Sequence, residues 1–204
     1  MRSILAPVMA FMVATVVGQN QTGPYAIHIK GKTDSSIDGY ASACHAGAAI
    51  EGLCYEAGPA VAGAYEFYYN YSAYSPDTGE VFQPGWIVWN LPYNGNLTES
   101  ETMLLQPNPG SNVEVALFEP GYGTYVSFDE SGRVYISGGY DDSHFNATPP
   151  VSPPSLGNLT NFHLCYQYTG TGYYYHSISW VTTPPARNPS CQPVDLILES
   201  AKAV

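Results

Sequence analysis

Asp141, Asp142 and His144 form the densest set of side chains capable of chemistry, two carboxylates and an imidazole that could make an acid–base pair or the corner of a metal site. They follow Gly138, Gly139 and Tyr140, and in a glycine-rich stretch such residues serve chiefly as solvated turn formers. No partner motif accompanies them. The five histidines, His28, His45, His144, His163 and His176, show no HExxH spacing, and none falls at the start of the expected mature chain. Zinc-peptidase and N-terminal-copper chemistry therefore lack their ligands. His163 and His176 fall on neighbouring predicted strands and could face each other, although the polar outer face of a sheet explains them more simply. Ser137 precedes Gly138 and Gly139, but Tyr135 stands where a nucleophile elbow needs its first glycine. Among 17 Asp+Glu some pair always meets the separation a glycosidase requires, so such a match is uninformative. No catalytic residue, metal ligand or cofactor is assigned.

Aromatic rings are the more distinctive chemistry. The chain holds 18 Tyr, 7 Phe and 3 Trp, concentrated at Tyr65 to Tyr74, at Trp86 and Trp89, and at Tyr173 to Trp180. Exposed Trp and Tyr faces stack on sugar rings, and a strand displays alternate residues as a platform. Core packing is expected to absorb Trp86, Phe118, Phe128, Phe162 and Trp180. Residues three apart on a strand point to opposite faces, so Trp86 and Trp89 cannot both be core. Trp89 precedes Asn90 and the Tyr93-Asn94-Gly95 turn and is expected to face out. The run Tyr173, Tyr174 and Tyr175 must place rings on both faces. The candidate ligand-binding residues are therefore Trp89, Tyr173, Tyr174 and Tyr175, with a cell-wall or host polysaccharide as the candidate partner.

The compartment follows from charge and cysteine. Over 204 residues, 6 Lys+Arg oppose 17 Asp+Glu, a net charge of −11, with 11% charged residues against roughly 25% in average proteins. A chain this poor in cations cannot neutralise a run of phosphates, which excludes nucleic acid as a partner. Arg2 followed by the apolar stretch from Ile4 to Val17, with Gly18 at the cut, reads as a signal peptide over 1–18. Beyond it, 20 Gly and 17 Pro interrupt every apolar run, so no integral membrane segment is expected after signal cleavage. Asn20, Asn70, Asn96, Asn146 and Asn158 open Asn-x-Ser/Thr acceptor sites. Asn96, Asn146 and Asn158 lie among Gly and Pro and are the better acceptors, whereas Asn70 falls in a Tyr-rich stretch. Cys44, Cys54, Cys165 and Cys191 contain no CxxC and read as two disulfides in an oxidising compartment. Of three possible connectivities, the local one joins Cys44 to Cys54 across a turn near Gly47 and Cys165 to Cys191. The localisation expected is secreted, extracellular or cell-wall associated.

Strands must position all of this. Tyr25, Ile27 and Ile29 alternate with Ala26, His28 and Lys30, and Tyr65, Phe67 and Tyr69 alternate with Glu66, Tyr68 and Asn70, the period of a strand. Further strands are expected over 86–91, 113–118, 124–128, 133–137, 162–168, 173–181 and 194–198. A hairpin joins Val126 and Phe128 to Val134 and Ile136 through a loop ending in Gly132. Residues 148–157 carry four prolines and read as an extended surface loop. Under fifty residues follow it, too few for a separate core. The expectation is a single all-β domain over 19–204, a sandwich or barrel, with a β-trefoil as the alternative.

The segment Phe162, Leu164, Cys165, Tyr173-Tyr174-Tyr175, Ile178, Trp180, Asn188-Pro189-Ser190-Cys191, Val194 and Leu196 resembles the closing part of small secreted, cysteine-bridged ascomycete proteins. The likeness covers mainly residues 162–198. It implies a fungal, secreted, single-domain protein, and since that family has no settled activity it implies no functional residue. The function expected is a non-catalytic secreted glycoprotein acting at a cell wall or host surface through carbohydrate contact. The alternatives are a secreted hydrolase without a recognisable motif and a structural coat or matrix protein.

Overall fold

The computed structural model describes residues 19–60, 65–72, 83–148, 150–170 and 172–201. The expected signal peptide at 1–18 lies outside the described residues. The strands are β1 (Gln19–Gly31), β2 (Asp38–Gly47), β3 (Ile50–Ala57), β4 (Phe67–Ser72), β5 (Gly85–Tyr93), β6 (Leu97–Gln106) and β7 (Val113–Pro120). They are followed by β8 (Ser127–Phe128), β9 (Val134–Ser137), β10 (Asn158–Leu159), β11 (Phe162–Tyr168), β12 (Tyr174–Val181) and β13 (Gln192–Ser200). No helix occurs among the described residues.

Period-two alternation sends one set of side chains inward along each long strand. Ile27 and Ile29 of β1, Phe67 and Tyr69 of β4, Met103 and Leu105 of β6, Ile178 and Trp180 of β12, and Val194, Leu196 and Leu198 of β13 meet in one core. The sheet holding them runs β11-β13-β1-β2-β3-β12-β7-β6-β5-β4 and closes on itself where β1 also pairs with β4. The result is a closed nine-stranded antiparallel β-barrel with an extra strand. Closure explains why a chain with so few charges needs no helix layer, because full closure removes the free sheet edges that would otherwise pair with other chains. Strands β4 to β7 form a continuous meander, whereas β2–β3 and β11–β12 are separate hairpins. This order has no threefold repeat, so the barrel replaces the trefoil alternative.

Strands β8, β9 and β10 form a small second sheet. Val126, Phe128 and Val134 belong to the barrel core, and Phe128 meets Tyr69 edge-on at 5.0 Å between ring centres. The expected hairpin is present, with Phe128 opposite Val134. Gly132 closes it at φ +82°, where an added Cβ would stand 2.4 Å from the Leu198 carbonyl oxygen. Glycine is therefore required twice over, by conformation and by space. The Pro-rich segment does form a surface excursion, tied down at Tyr140–Ser155 and Ala147–Pro150 before β10 begins.

Both disulfides take the local connectivity. Cys44–Cys54 spans the β2–β3 hairpin with Cα atoms 5.9 Å apart, and Cys165–Cys191 joins β11 to the segment before β13 with Cα atoms 4.1 Å apart. There is no free cysteine. Two disulfides are the usage of an oxidising, extracellular compartment.

The sequence separations of 10 and 26 residues rank the bridges, because a longer closed loop removes more entropy from the unfolded chain. Replacing Cys165 and Cys191 by Ala is expected to cost about 3.5 kcal/mol, and replacing Cys44 and Cys54 about 2.7 kcal/mol. Denaturant unfolding of the two double variants checks the order.

Candidate functional site

The β11–β12 hairpin changes environment along one of its faces. Phe162 and Leu164 of β11 and Ile178 and Trp180 of β12 point into the core, and Phe162 meets Trp180 edge-on at 5.0 Å. Further along the same face the register pairs Tyr166 with His176 and Tyr168 with Tyr174. These four residues are exposed: Tyr166, Tyr168 and Tyr174 retain 50%, 52% and 60% of their surface. Their rings form one contiguous group. Tyr166 stacks on Tyr174 at 6.2 Å and meets His176 at 5.0 Å, and Tyr168 meets Tyr174 at 5.3 Å. The hairpin thus carries core residues near the barrel and an open aromatic face beyond it.

The predicted tyrosines divide between the two faces of this hairpin. Tyr174 belongs to the open group. Tyr173 and Tyr175 stack in parallel on the opposite face at 6.0 Å, where the Tyr175 hydroxyl donates to the His45 carbonyl at 2.7 Å and Tyr173 packs edge-on against the His45 ring. Tyr166 and Tyr168 were not singled out in the sequence, and His176 was considered there only as a residue that could face His163. Their signal was the alternation of Tyr166 and Tyr168 on a strand one hairpin away from Tyr174.

The two tryptophans do point to opposite faces, and Trp86 is buried as expected, but Trp89 is the one on the inward side. Trp89 lies on the inward side, half-buried, its ring 5.7 Å from Phe67 and 6.2 Å from Tyr65. Trp86 is on the outward side and is nevertheless 9% exposed, because the segment after β7 lays Tyr125 over it at 5.0 Å and Tyr122 at 6.1 Å. A chain excursion distant in sequence covers the outward ring, and Trp89 is not part of the open aromatic face.

The polar candidates separate in the same way. Asp141 Oδ1 accepts from the Ser143 backbone N–H at 3.0 Å, and the Ser143 hydrogen bonds hold its carboxyl below the usual range. It is a turn former. His163 and His176 do not face each other: His163 pairs with Ser179 and His176 with Tyr166, on opposite faces of the hairpin. The His163 ring is buried, which depresses its pKa, and bonds to the Asn161 carbonyl. His28 contacts Asp38 at 2.6 Å and Glu199 at 2.9 Å and stacks on Tyr40 at 4.5 Å. That cluster ties β1 to β2 and β13 across the outer face. No group of three His, Cys, Asp or Glu suited to a metal ion occurs among the described residues. Four acceptor asparagines, Asn20, Asn96, Asn146 and Asn158, are exposed. Asn70 is 9% exposed and its Oδ1 accepts from Gln21 at 2.9 Å, so the folded chain does not present it.

One titratable group went unnoticed in the sequence. Glu101 of β6 points into the barrel opposite Trp89, has no exposed surface, and neither carboxylate oxygen has a hydrogen-bond partner. The Trp89 indole N–H is likewise buried without a partner. Burial, and then the charges of Glu51, Glu99 and Glu119, push Glu101 from the ordinary 4.5 up to about 7. Glu51 is also raised by burial, opposed by His45 at 3.6 Å. Two desolvated carboxylates are a hydrolase-like feature. The Glu101 oxygens have essentially no accessible surface, however, so in this conformation neither water nor substrate reaches them.

No protein-family model, curated protein or solved structure matches the chain.

Glu101 makes stability depend on pH. With its folded pKa raised to about 7, the folded state holds a proton that the unfolded chain releases. The stabilisation is complete below about pH 4.5 and is lost as pH rises through about 7, in total about 3 kcal/mol. Glu101→Gln is expected to flatten this dependence and to be the more stable form at pH 8. Thermal unfolding from pH 4 to 8 checks both.

Proposed function

We propose that this is a secreted, non-catalytic glycoprotein that binds polysaccharide at a cell wall or host surface through the open aromatic face of the β11–β12 hairpin. The observation that carries this reading is the contiguous exposed set Tyr166, Tyr168, Tyr174 and His176. Single exposed tyrosines are ordinary, but a contiguous exposed group of rings marks a surface suited to binding. Here they share a strand face with the core yet stand in solvent, where an apolar ring with a polar tip suits a sugar, itself apolar on its C–H face and polar at its rim. Export is supported by the leader at 1–18, by the two disulfides and by the exposed acceptor asparagines. The resemblance over residues 162–198 adds a fungal source.

The hydrolase alternative draws support from Glu51 and Glu101, whose carboxyls burial has raised. Glycoside hydrolysis needs two carboxyl groups in contact with substrate and water, and the enclosure of Glu101 favours the binding reading.

Binding of the purified protein to immobilised plant and fungal polysaccharides tests it. Tyr174→Ala and Tyr166→Ala are each expected to weaken binding about tenfold, with the melting temperature little changed because both rings are half-exposed or more. Tyr122→Ala, on the separate Trp86 cluster, should leave binding intact. Wild-type protein that retains no polysaccharide sinks the proposal.

A further inference from the structure

A groove of about 440 Å³ opens beside His163, on the face of the β11–β12 hairpin opposite Tyr166, Tyr168 and Tyr174. Small-molecule sites have volumes of roughly 300 to 1,000 Å³ and are mostly apolar, with a few placed polar groups. One wall is the segment between β12 and β13, where Pro184, Pro185 and Pro189 are exposed and present ring C–H surface without an N–H donor. That wall is held in place from two sides. Asn112 Nδ2 donates to the Thr183 and Pro185 carbonyls at 2.7 and 2.9 Å, and Asn112 Oδ1 accepts from the Arg187 N–H at 2.9 Å. The Cys165–Cys191 bridge fixes its far end to β11. A wall built in this way loses little freedom on binding.

Two polar side chains of the groove are already engaged. Lys32 donates to the Thr160 carbonyl and hydroxyl and faces Asp195 at 3.5 Å, so its charge is met. Asn188 donates to the Tyr166 carbonyl at 3.1 Å and accepts from the Ser190 N–H at 3.0 Å. His163 is different. It is 8% exposed, and its Nδ1 lies 2.9 Å from the Asn161 carbonyl. A carbonyl only accepts, so Nδ1 carries the hydrogen and Nε2 is left as a bare acceptor. Burial lowers the pKa of the ring and favours this neutral form. Nε2 has no partner among the described residues, yet it is not sealed off as the polar atoms of Glu101 and Trp89 are. The surface it keeps belongs to the groove that His163 lines.

We infer that this groove binds a small uncharged phenol, whose ring lies against Pro184, Pro185 and Pro189 and whose hydroxyl donates to His163 Nε2. The site is separate from the aromatic face and stands without it. A phenol keeps its hydrogen up to about pH 10, so it brings a donor to the enclosed acceptor. Proline rings and aromatic faces pack together, as they do in the recognition of Pro-rich segments. A sugar would bring several hydroxyls against proline walls that cannot answer them, and each desolvated group without a partner is costly. A carboxylate gains little from Lys32, which is already paired, and meets a lone pair at Nε2.

The test titrates the isotope-labelled protein with p-cresol, p-xylene and N-acetyltyrosinamide and follows the backbone amide shifts. p-Cresol is expected to bind with a Kd on the order of a millimolar and to move the amides of Asn161, His163, Ala186 and Cys191. p-Xylene, of the same shape without the donor, should bind at least fivefold more weakly. His163→Phe should bring p-cresol down to the affinity of p-xylene and leave p-xylene unchanged, and the two ligands on the wild type carry the test even where that variant fails to fold. N-Acetyltyrosinamide carries the phenol as a protein does, and its amides would lie against the prolines, so it should bind more weakly than p-cresol. Binding as tight as that of p-cresol overturns the free phenol in favour of a tyrosine from a partner protein. Equal binding of p-cresol and p-xylene overturns the hydrogen bond to His163, shifts confined to Tyr166, Tyr168 and Tyr174 overturn the location, and no shift with p-cresol overturns the site. None of these outcomes bears on polysaccharide binding by the aromatic face.

Discussion

Closure of the sheet through β1 is the constraint on which the rest depends. β1 pairs along one edge with β13, and along the other first with β4, from Gln19 to Tyr25, and then with β2, from His28 to Lys30. A single straight strand cannot serve two partners on one edge unless it changes course. The register slips between Thr22 and Tyr25, at Gly23, whose φ of +124° and close approach to the Phe67 carbonyl suit glycine alone. With that bend the β4–β7 meander returns to the strand that began the barrel. Phe67 then meets Phe118 at 5.6 Å across the core. Without it β4 would be an open edge, and the inward faces of β4 to β7 would have no second wall.

The fold was legible where alternation was clean. Ile27, Ile29, Phe67 and Tyr69 are apolar at every second position, and the structure sends each of them inward. β6 was not anticipated because Leu97 to Ser100 are exposed and the buried alternation of Glu101, Met103 and Leu105 opens on an acid, so its first half reads as solvated turn. Pairing with β5 and β7 overrides that local signal. The disulfides were legible because each bridge closes a short span whose ends a hairpin or a neighbouring strand already brings together. The facing of Trp86 and Trp89 was not. Their opposition follows from strand geometry, but which is inward depends on the register of β5 against β4, and the cover over Trp86 comes from Tyr122 and Tyr125, more than thirty residues away.

The buried acid is a by-product of that same register. Opposite Trp89 the inward position of β6 is a glutamate rather than a Leu or Met, and closure removes its solvent whatever its charge. A carboxylate there without a hydrogen-bond partner would be strongly unfavourable, so the proton stays on and the pKa rises. An acidic exterior would suit such a barrel, since the protonated form is the one the core tolerates. The residue is a feature of stability, and its enclosure keeps it out of any chemistry at the surface.

The aromatic face arises from the length of two strands. Positions 162, 164, 178 and 180 and positions 166, 168, 174 and 176 follow one alternation on one face of the hairpin, and no change in sequence pattern marks where core ends and solvent begins. What changes is the cover. The first four meet β13, β1 and the small second sheet within the common core, whereas the rings of the last four lie outside that core and pack against one another. This is why the sequence drew attention to Tyr173, Tyr174 and Tyr175 as a run while the structure selects alternate residues on two strands. A run of three is conspicuous, but a face is built from every second residue and its cross-strand partner. The Cys165–Cys191 bridge also holds Asn188 beside this strand, where its amide donates to the Tyr166 carbonyl.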